Sequence, residues 1–157
     1  MTETPLSERL SFAARLPDAQ RQRLEALLQR VDASAGTVLF REGDEANDVY
    51  FLLEGQVALS IRVPSVGATT LLTLGPGEML GWSGLREHER VATARVTDAL
   101  VAARVDSDAL WKACDADHEL GFAVMKHSFE QVSARLHDTR LQWLDMFGSL
   151  NVEAPRP

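Results

Sequence analysis

Apolar and polar residues alternate in the middle of the chain in a way that predicts a β-rich core. Val57, Leu59, Ile61 and Val63 are separated by polar or small residues, and this period of two is typical of a strand with one buried face. The other predicted strands are 37–40, 49–53, 69–74, 91–96 and 100–105. Short strands at close spacing, joined by glycine-containing turns, favour a sandwich or barrel over a parallel α/β sheet.

Helical patterns flank this region on both sides. Apolar residues recur at helical spacing over 6–16, and again in a second stretch that begins at Pro17 and extends its apolar stripe to Val31. After the last strand, Asp106 is suited to cap a short helix over 107–114. The pattern therefore predicts a mainly β domain with flanking helices.

A long helix is predicted over residues from about 117 to 147, with Gly148 at its end. Its apolar positions follow alternating steps of three and four, which is the heptad pattern of helices that pair. We call this set the seam: Phe122, Met125, Phe129, Val132, Leu136, Thr139, Trp143 and Met146. The seam packs either on the β-domain of the same chain or on a second copy. Thirty helical residues are about 45 Å long, whereas a domain of this size is roughly 30–40 Å across, which favours a homodimer through this helix.

Length and composition indicate one globular domain, which we place at 1–147, with 148–157 as a loose tail. The 157 residues are 45% hydrophobic and 25% charged. No apolar run approaches the roughly 20 residues that a membrane span needs, and the N-terminus has no secretory signal pattern. The single cysteine, Cys114, excludes an intrachain disulfide and fits a reducing compartment. We therefore expect a cytoplasmic protein with no membrane association.

Charge and side-chain chemistry exclude several classes of function. The formal net charge of −7 disfavours direct DNA binding, since phosphate neutralisation supplies most of the non-specific affinity. The four histidines and one cysteine make no recognisable metal set. Gly81–Gly84 reads Gly-Trp-Ser-Gly, but a nucleophile elbow would need its second glycine at Leu85 and a parallel sheet. We expect neither an enzyme nor a metal protein.

The segment from Gly75 to Val96 is the strongest candidate for a binding site. Its first ten residues contain four glycines and a proline, and its last eleven contain Arg86, Arg90 and Arg95. Glycine-rich backbone beside an arginine provides the donors of an anion site. The alternative is a turn between strands whose arginines pair with nearby glutamates in solvent.

Four ordered motifs resemble the cyclic nucleotide-binding domain of the cyclic-AMP receptor protein superfamily. They are Phe40–Asp44, Asp48–Val57, Gly75–Gly81 and Arg90–Ala94, and the long helix follows them. The resemblance covers roughly residues 15–146. It implies an eight-stranded jelly-roll, also called a double-stranded β-helix, with flanking helices. It also implies a non-enzymatic regulatory module that binds cyclic AMP or cyclic GMP and requires no other cofactor.

The resemblance also implies a set of ligand-binding residues. Arg90 corresponds to the arginine that pairs with the cyclic phosphate, and Thr139 lies near the position that contacts the purine. The complete implied set is Gly81, Trp82, Ser83, Gly84, Leu85, Arg90, Val91, Ala92, Thr93, Thr139 and Arg140. Trp82 departs from the family pattern, which has at this point a glutamate that binds the ribose hydroxyl. Loss of that bond costs roughly 1.5–3 kcal/mol, or about ten- to 150-fold in affinity, and Ser83 is a weaker, neutral substitute.

Two functions follow from these observations. The first is a sensor that binds a cyclic nucleotide or another phosphate-bearing small molecule at Arg90 and signals through its helix dimer. The second is a degenerate domain that binds no nucleotide and acts as a dimeric protein-interaction module. In DNA-binding members of the superfamily a helix-turn-helix follows the long helix, whereas only about ten residues follow Phe147 here. We therefore expect output through the dimer or a partner protein and not through direct DNA binding.

Overall fold

The computed structural model of the protein describes residues 4–85 and 88–150, with only the backbone of Leu150. The α-helices are α1 (Leu6–Arg9), α2 (Asp18–Glu25), α3 (Ser107–Ala116) and α4 (His118–Leu150). The strands are β1 (Gln29–Ala33), β2 (Val38–Phe40), β3 (Asp48–Val63), β4 (Gly67–Leu74), β5 (Met79–Leu80) and β6 (Thr93–Asp106). Two short 3₁₀ helices cover Ala13–Arg15 and Trp82–Leu85.

The strands pair antiparallel throughout the described sheet, in the order β1-β6-β3-β4, with β2 on β6 and β5 on β3. This arrangement with its flanking helices confirms the predicted mainly β fold class. The described residues form six strands: β3 and β6 each span two of the strands predicted from the pattern, and β1 and β5 are strands that the pattern did not predict. The register of β3 shifts at Gly55, where φ is +83°. A Cβ there would lie 2.1 Å from the Ala99 carbonyl oxygen, so only glycine fits.

The N-terminal region differs from the prediction in two places. The helix predicted over 6–16 is broken into α1 and the 3₁₀ helix at Ala13–Arg15. The Glu25 carboxylate accepts the backbone N–H groups of Leu6 and Ser7, at 3.1 and 2.6 Å, and so caps the N-terminus of α1 from outside the helix. The second helix stops at Glu25, and Val31 lies in β1, opposite Ala102 of β6. The exposed edge of β6 provides the hydrogen bonds that make this segment a strand.

The C-terminal helices largely follow the prediction. The Asp106 carboxylate accepts the backbone N–H of Ala109 at 2.8 Å, which confirms the predicted cap of α3. The long helix α4 continues through Gly148 to Leu150, so the prediction that Gly148 ends it is wrong. Glycine is compatible with an exposed helical turn at a modest cost. The remainder of the predicted tail, 151–157, lies outside the described residues.

Two hydrophobic clusters form the core, and β3 contributes to both. Val49 and Phe51 face the helices, whereas Tyr50 and Leu52 face the interior of the sheet, because successive strand residues point to opposite sides. The start of α4 joins the first cluster through Leu120. The sheet and the first turns of α4 are therefore one packed unit.

The seam of α4 is not covered by the β-domain of its own chain. Phe122 and Phe129 are 71% and 72% exposed, and Trp143 is 57% exposed. All eight seam residues fall in the exposed class. A row of exposed aromatic and aliphatic side chains along one helix face is unusual for a protein surface. Most of the seam is therefore not packed on its own domain, although its middle borders a cavity against the sheet.

Candidate functional site

A cavity of about 340 Å³ lies between the sheet, the 3₁₀ helix at Trp82 and the middle of α4. Its walls are mostly apolar, and Arg135 is the one charged side chain among the described lining residues. They are Phe40, Leu59, Leu71, Leu72, Leu80, Gly81, Trp82, Ser83, Val91, Ala92, Val132, Arg135, Leu136 and Thr139. We call this cavity the sheet–helix pocket. Its volume lies within the range of small-molecule sites.

The turn that forms one wall depends on glycine. Gly81 has φ of +81°, and a Cβ there would lie 2.6 Å from Nη1 of Arg90. A hydrogen bond from the Gly84 N–H to the Gly81 carbonyl, 2.9 Å long, stabilises the turn. Its far end is fixed to α3 because the Trp111 indole Nε1 donates to the Leu85 carbonyl at 2.8 Å. The backbone can therefore pass directly over the Arg90 guanidinium.

Arg90 lies behind this turn, in the protein interior. Only 2% of the residue is exposed, and it is not among the residues that line the pocket. Its Nη1 donates to the Gly81 carbonyl at 3.2 Å, and its Nη2 donates to the Asp48 carbonyl at 2.8 Å. The same Nη2 forms a salt bridge with the Asp48 carboxylate, and the guanidinium carbon lies 4.1 Å from the centre of the Phe40 ring.

Asp48 connects Arg90 to two further side chains, of which that of Arg104 is 45% exposed. Its Oδ2 accepts Nε of Arg104 at 2.6 Å and the Tyr50 hydroxyl at 3.3 Å. Burial lowers the pKa of Arg90, and the Asp48 carboxylate opposes that shift. Burial and the same carboxylate raise the pKa of Tyr50. The Asp48 carboxylate therefore occupies the position of an anion beside Arg90, as a phosphate would in an anion site.

Arg135 is the site residue that the sequence did not indicate. Its Nη2 donates to the Met79 carbonyl, and its buried Nε has no hydrogen-bond partner in the described structure. Burial lowers the pKa of its guanidinium, and Glu78 opposes the shift. Residues four apart share one helix face, so the step back from Thr139 to Arg135 was the signal available in the sequence. The Thr139 hydroxyl donates to the Arg135 carbonyl at 2.8 Å.

The pocket brings together six of the eleven predicted site residues: Gly81, Trp82, Ser83, Val91, Ala92 and Thr139. Gly84 and Leu85 are in the 3₁₀ helix outside the lining. The Thr93 hydroxyl accepts the Glu42 N–H at 3.0 Å beside another surface cavity. Arg140 lies farther along α4, next to Trp143. Ligand binding at these residues stays a prediction.

The second interpretation of the segment from Gly75 to Val96 is a turn whose arginines form salt bridges with nearby glutamates in solvent. Arg90 instead pairs with Asp48 in the interior, and Nη1 of Arg95 donates to the Gly36 carbonyl at 2.9 Å. Arg86 lies outside the described residues.

Other candidate chemistry is limited. Within the described ranges, no group of three or more His, Cys, Asp and Glu side chains is arranged to hold a metal ion. Burial raises the pKa of the Cys114 thiol, which leaves less of the reactive thiolate at neutral pH. No described helix is long and apolar enough to cross a bilayer.

Comparison with known proteins identifies the family. The family model "Cyclic nucleotide-binding domain" matches residues 30–117, more than half of the chain. A CRP-like cAMP-activated global transcriptional regulator of Mycobacterium tuberculosis is 30% identical over 84 residues, which are 53% of this chain and 38% of that protein. The chain therefore spans well under half the length of this curated relative.

Solved structures agree with the family assignment. The N-terminal domain of a transcriptional regulator from Streptomyces coelicolor is 27% identical, with a TM-score of 0.65 over 87% of this chain and 95% of that one. A cyclic nucleotide-binding domain from Methylobacillus flagellatus is 20% identical, with a TM-score of 0.77 over 90% and 80%. The chain belongs to the cyclic nucleotide-binding domain family, as the sequence motifs indicated, and these relatives include transcriptional regulators.

Proposed function

We propose that the protein is a non-enzymatic regulatory module that pairs with a second copy through the seam of α4. The observation that carries this proposal is that the same face of α4 contributes residues both to the seam and to the pocket lining. Val132, Leu136 and Thr139 are seam residues, and the same three residues line the sheet–helix pocket. A ligand in the pocket would contact side chains that also meet the partner helix. A bound ligand would thus shift the equilibrium of helix pairing. The paired state would in turn determine whether a partner protein in the cytoplasm binds.

Exposed apolar area supports pairing. The seam presents large side chains with spacing suited to knobs-into-holes packing along the described helix. Each CH₂ group removed from water contributes about 0.8 kcal/mol. A partner helix would cover this face without any change in the β-domain.

Cyclic nucleotide binding at Arg90 is the second candidate, and the geometry favours it less. The Arg90 guanidinium already has an anionic partner in Asp48, and it lies outside the pocket lining. Trp82 lines the pocket where the family pattern has a ribose-binding glutamate. A cyclic nucleotide would have to displace Asp48 from Arg90 and would find no carboxylate for its ribose. These features support the degenerate alternative, in which the family fold is kept without cyclic nucleotide recognition.

The pairing is tested by sedimentation equilibrium of the intact chain and two variants of α4. The Phe129→Asp change places a charge on the seam at a position that is 72% exposed, so it should leave the monomer folded. We expect the unmodified protein to sediment as a dimer and Phe129→Asp as a monomer, because a buried unpaired carboxylate opposes association.

The matched control is Ala134→Asp, which adds the same charge at an exposed position of α4 outside the seam. This variant should remain a dimer. An unmodified protein that stays monomeric at high micromolar concentration, or a dimer that survives Phe129→Asp, would show that the seam does not mediate self-association.

A further inference from the structure

We infer that the sheet–helix pocket accepts a small, mainly apolar carboxylate whose acid group pairs with Arg135. The inference rests on the proposed function, because it takes this pocket as the regulatory site. It specifies the class of ligand, which neither the family nor the relatives assign to this chain.

The pocket walls favour an apolar body. Leucines from three strands, Leu59, Leu72 and Leu80, face Leu136 of the helix across the cavity. Burial of a polar group without a hydrogen-bond partner is costly. A ribose ring with its hydroxyl and phosphate groups would place several polar atoms against these leucines. An aliphatic or aromatic body is the better match for the same volume.

Arg135 provides the anion preference. It is the one charged side chain among the described lining residues, and its buried Nε has no hydrogen-bond partner. No carboxylate of the described residues forms a salt bridge with Arg135. The nearby Glu78 instead accepts the Gly75 N–H at 2.7 Å. A guanidinium that is largely removed from water without an anionic partner is unfavourable, and a ligand carboxylate would provide that partner through charge-assisted hydrogen bonds.

Trp82 adds a large aromatic residue to the pocket lining. It lines the cavity together with the Ser83 that follows it, and it also packs against the first hydrophobic cluster. Aromatic side chains contribute large contact areas and prefer stacked or edge-on neighbours. Trp82 is therefore a positive feature of an apolar-ligand site, although it is a defect in a ribose site. The same residue thus removes a carboxylate for a ribose and adds apolar surface to the pocket lining.

The test compares an acid with its neutral amide. We would titrate the intact protein with 4-phenylbutyrate and with 4-phenylbutyramide by isothermal calorimetry. The acid should bind at least about tenfold more tightly than the amide, since only the acid makes charge-assisted bonds to Arg135. This comparison requires no variant, so it holds whether or not a substituted protein folds.

Two variants of cationic residues in α4 locate the effect. Arg135→Met keeps an apolar stem and removes the guanidinium, so acid and amide should bind it equally. Lys126→Met removes an exposed positive charge of the same helix that does not line the pocket, and it should keep the acid preference. Circular dichroism checks that both variants are folded.

Three results would overturn the inference: no binding of the acid at millimolar concentration, equal affinity for acid and amide, or an unchanged preference in folded Arg135→Met. Sedimentation of the same samples separates this inference from the proposed function. A dimer that fails to bind the acid refutes only the ligand class. A monomer that binds the acid with the expected preference supports the ligand class and refutes the pairing.

Discussion

Arg90 has a full positive charge in a position almost closed to water. Its neutralisation depends on Asp48, which also accepts bonds from Arg104 and Tyr50. A buried ion pair is not strongly stabilising by itself, but the loss of one member leaves an unpaired charge in the interior. We therefore expect the stability of the fold to depend on both members of the Arg90–Asp48 pair.

We predict that Arg90→Met and Asp48→Asn each destabilise the protein by about 3–5 kcal/mol, because each leaves buried polar groups without partners. Urea unfolding followed by circular dichroism measures the change. Arg21→Met is the control, since Arg21 pairs with the largely exposed Asp18, and exposed pairs contribute about 0–1 kcal/mol. Equal stabilities of Arg90→Met and the unmodified protein would contradict a structural role.

At this scale the sequence indicated some site residues and missed others. It placed Trp82 and Thr139 in one site, and the structure brings both to the pocket. It did not indicate that Asp48, 42 residues before Arg90, would be the partner of that arginine. Local motifs specify which residue types follow one another, whereas this buried charge pair depends on how the start of β3 meets a loop about 40 residues later in the chain. Arg135 was missed because exposed and buried arginines of a helix look alike in one sequence.

At the scale of the elements, His127 of α4 forms a contact between this helix and the N-terminal region. Its imidazole stacks on the Phe12 ring, with centroids 4.6 Å apart, and it also contacts Phe51. Burial lowers the pKa of His127 below its ordinary value of 6.5, and Glu130 opposes the shift. The neutral form is therefore the one that fits this interface.

This shift predicts how stability depends on pH. Because the folded pKa is below the unfolded value, the unfolded chain binds more protons between the two. The free energy of unfolding should therefore fall as the pH decreases through about 6.5 and level off below the folded pKa. In His127→Phe, which keeps the ring contact, the fall between pH 7.5 and 5 should be smaller. Thermal unfolding at several pH values measures both curves.

His137→Gln is the control for this experiment, since His137 is exposed on α4, and its curve should follow that of the unmodified protein. If His127→Phe shows the same pH dependence as the unmodified protein, the buried imidazole is not responsible for it.

The elements themselves were predictable where one periodicity dominates. Alternation in 57–63 and heptad spacing in α4 correctly indicated a strand and a helix. The strand β1 was missed because its sequence, Gln-Arg-Val-Asp-Ala, has one large apolar residue and resembles the end of an amphipathic helix. Its pairing with β6, about 70 residues later in the chain, decides its structure, and long-range pairing overrides local preference.

At the scale of the whole molecule, the pocket is formed by the sheet and α4 together, so it exists only in the folded chain. A ligand that binds in the pocket should therefore raise the free energy of unfolding. A ligand at 100 times its Kd stabilises the folded state by about 2.7 kcal/mol, which is a rise in Tm of about 5–10 °C for a chain of this size. We predict that neither cyclic AMP nor cyclic GMP at high micromolar concentration produces such a rise, because Arg90 is already paired with Asp48.

Differential scanning fluorimetry with each nucleotide measures this effect, and 5′-AMP serves as the control for non-specific binding. A rise of several degrees with a cyclic nucleotide but not with 5′-AMP would favour the cyclic nucleotide sensor. In that case Asp48 would have to move away from Arg90 when the nucleotide binds.

The pairing of Arg90 with Asp48 also affects how descent is read from sequences. If this pair stabilises the fold as predicted above, selection for a folded chain alone would retain the arginine, whether or not the domain binds a cyclic nucleotide. An arginine at this position is then not by itself evidence of a second-messenger receptor.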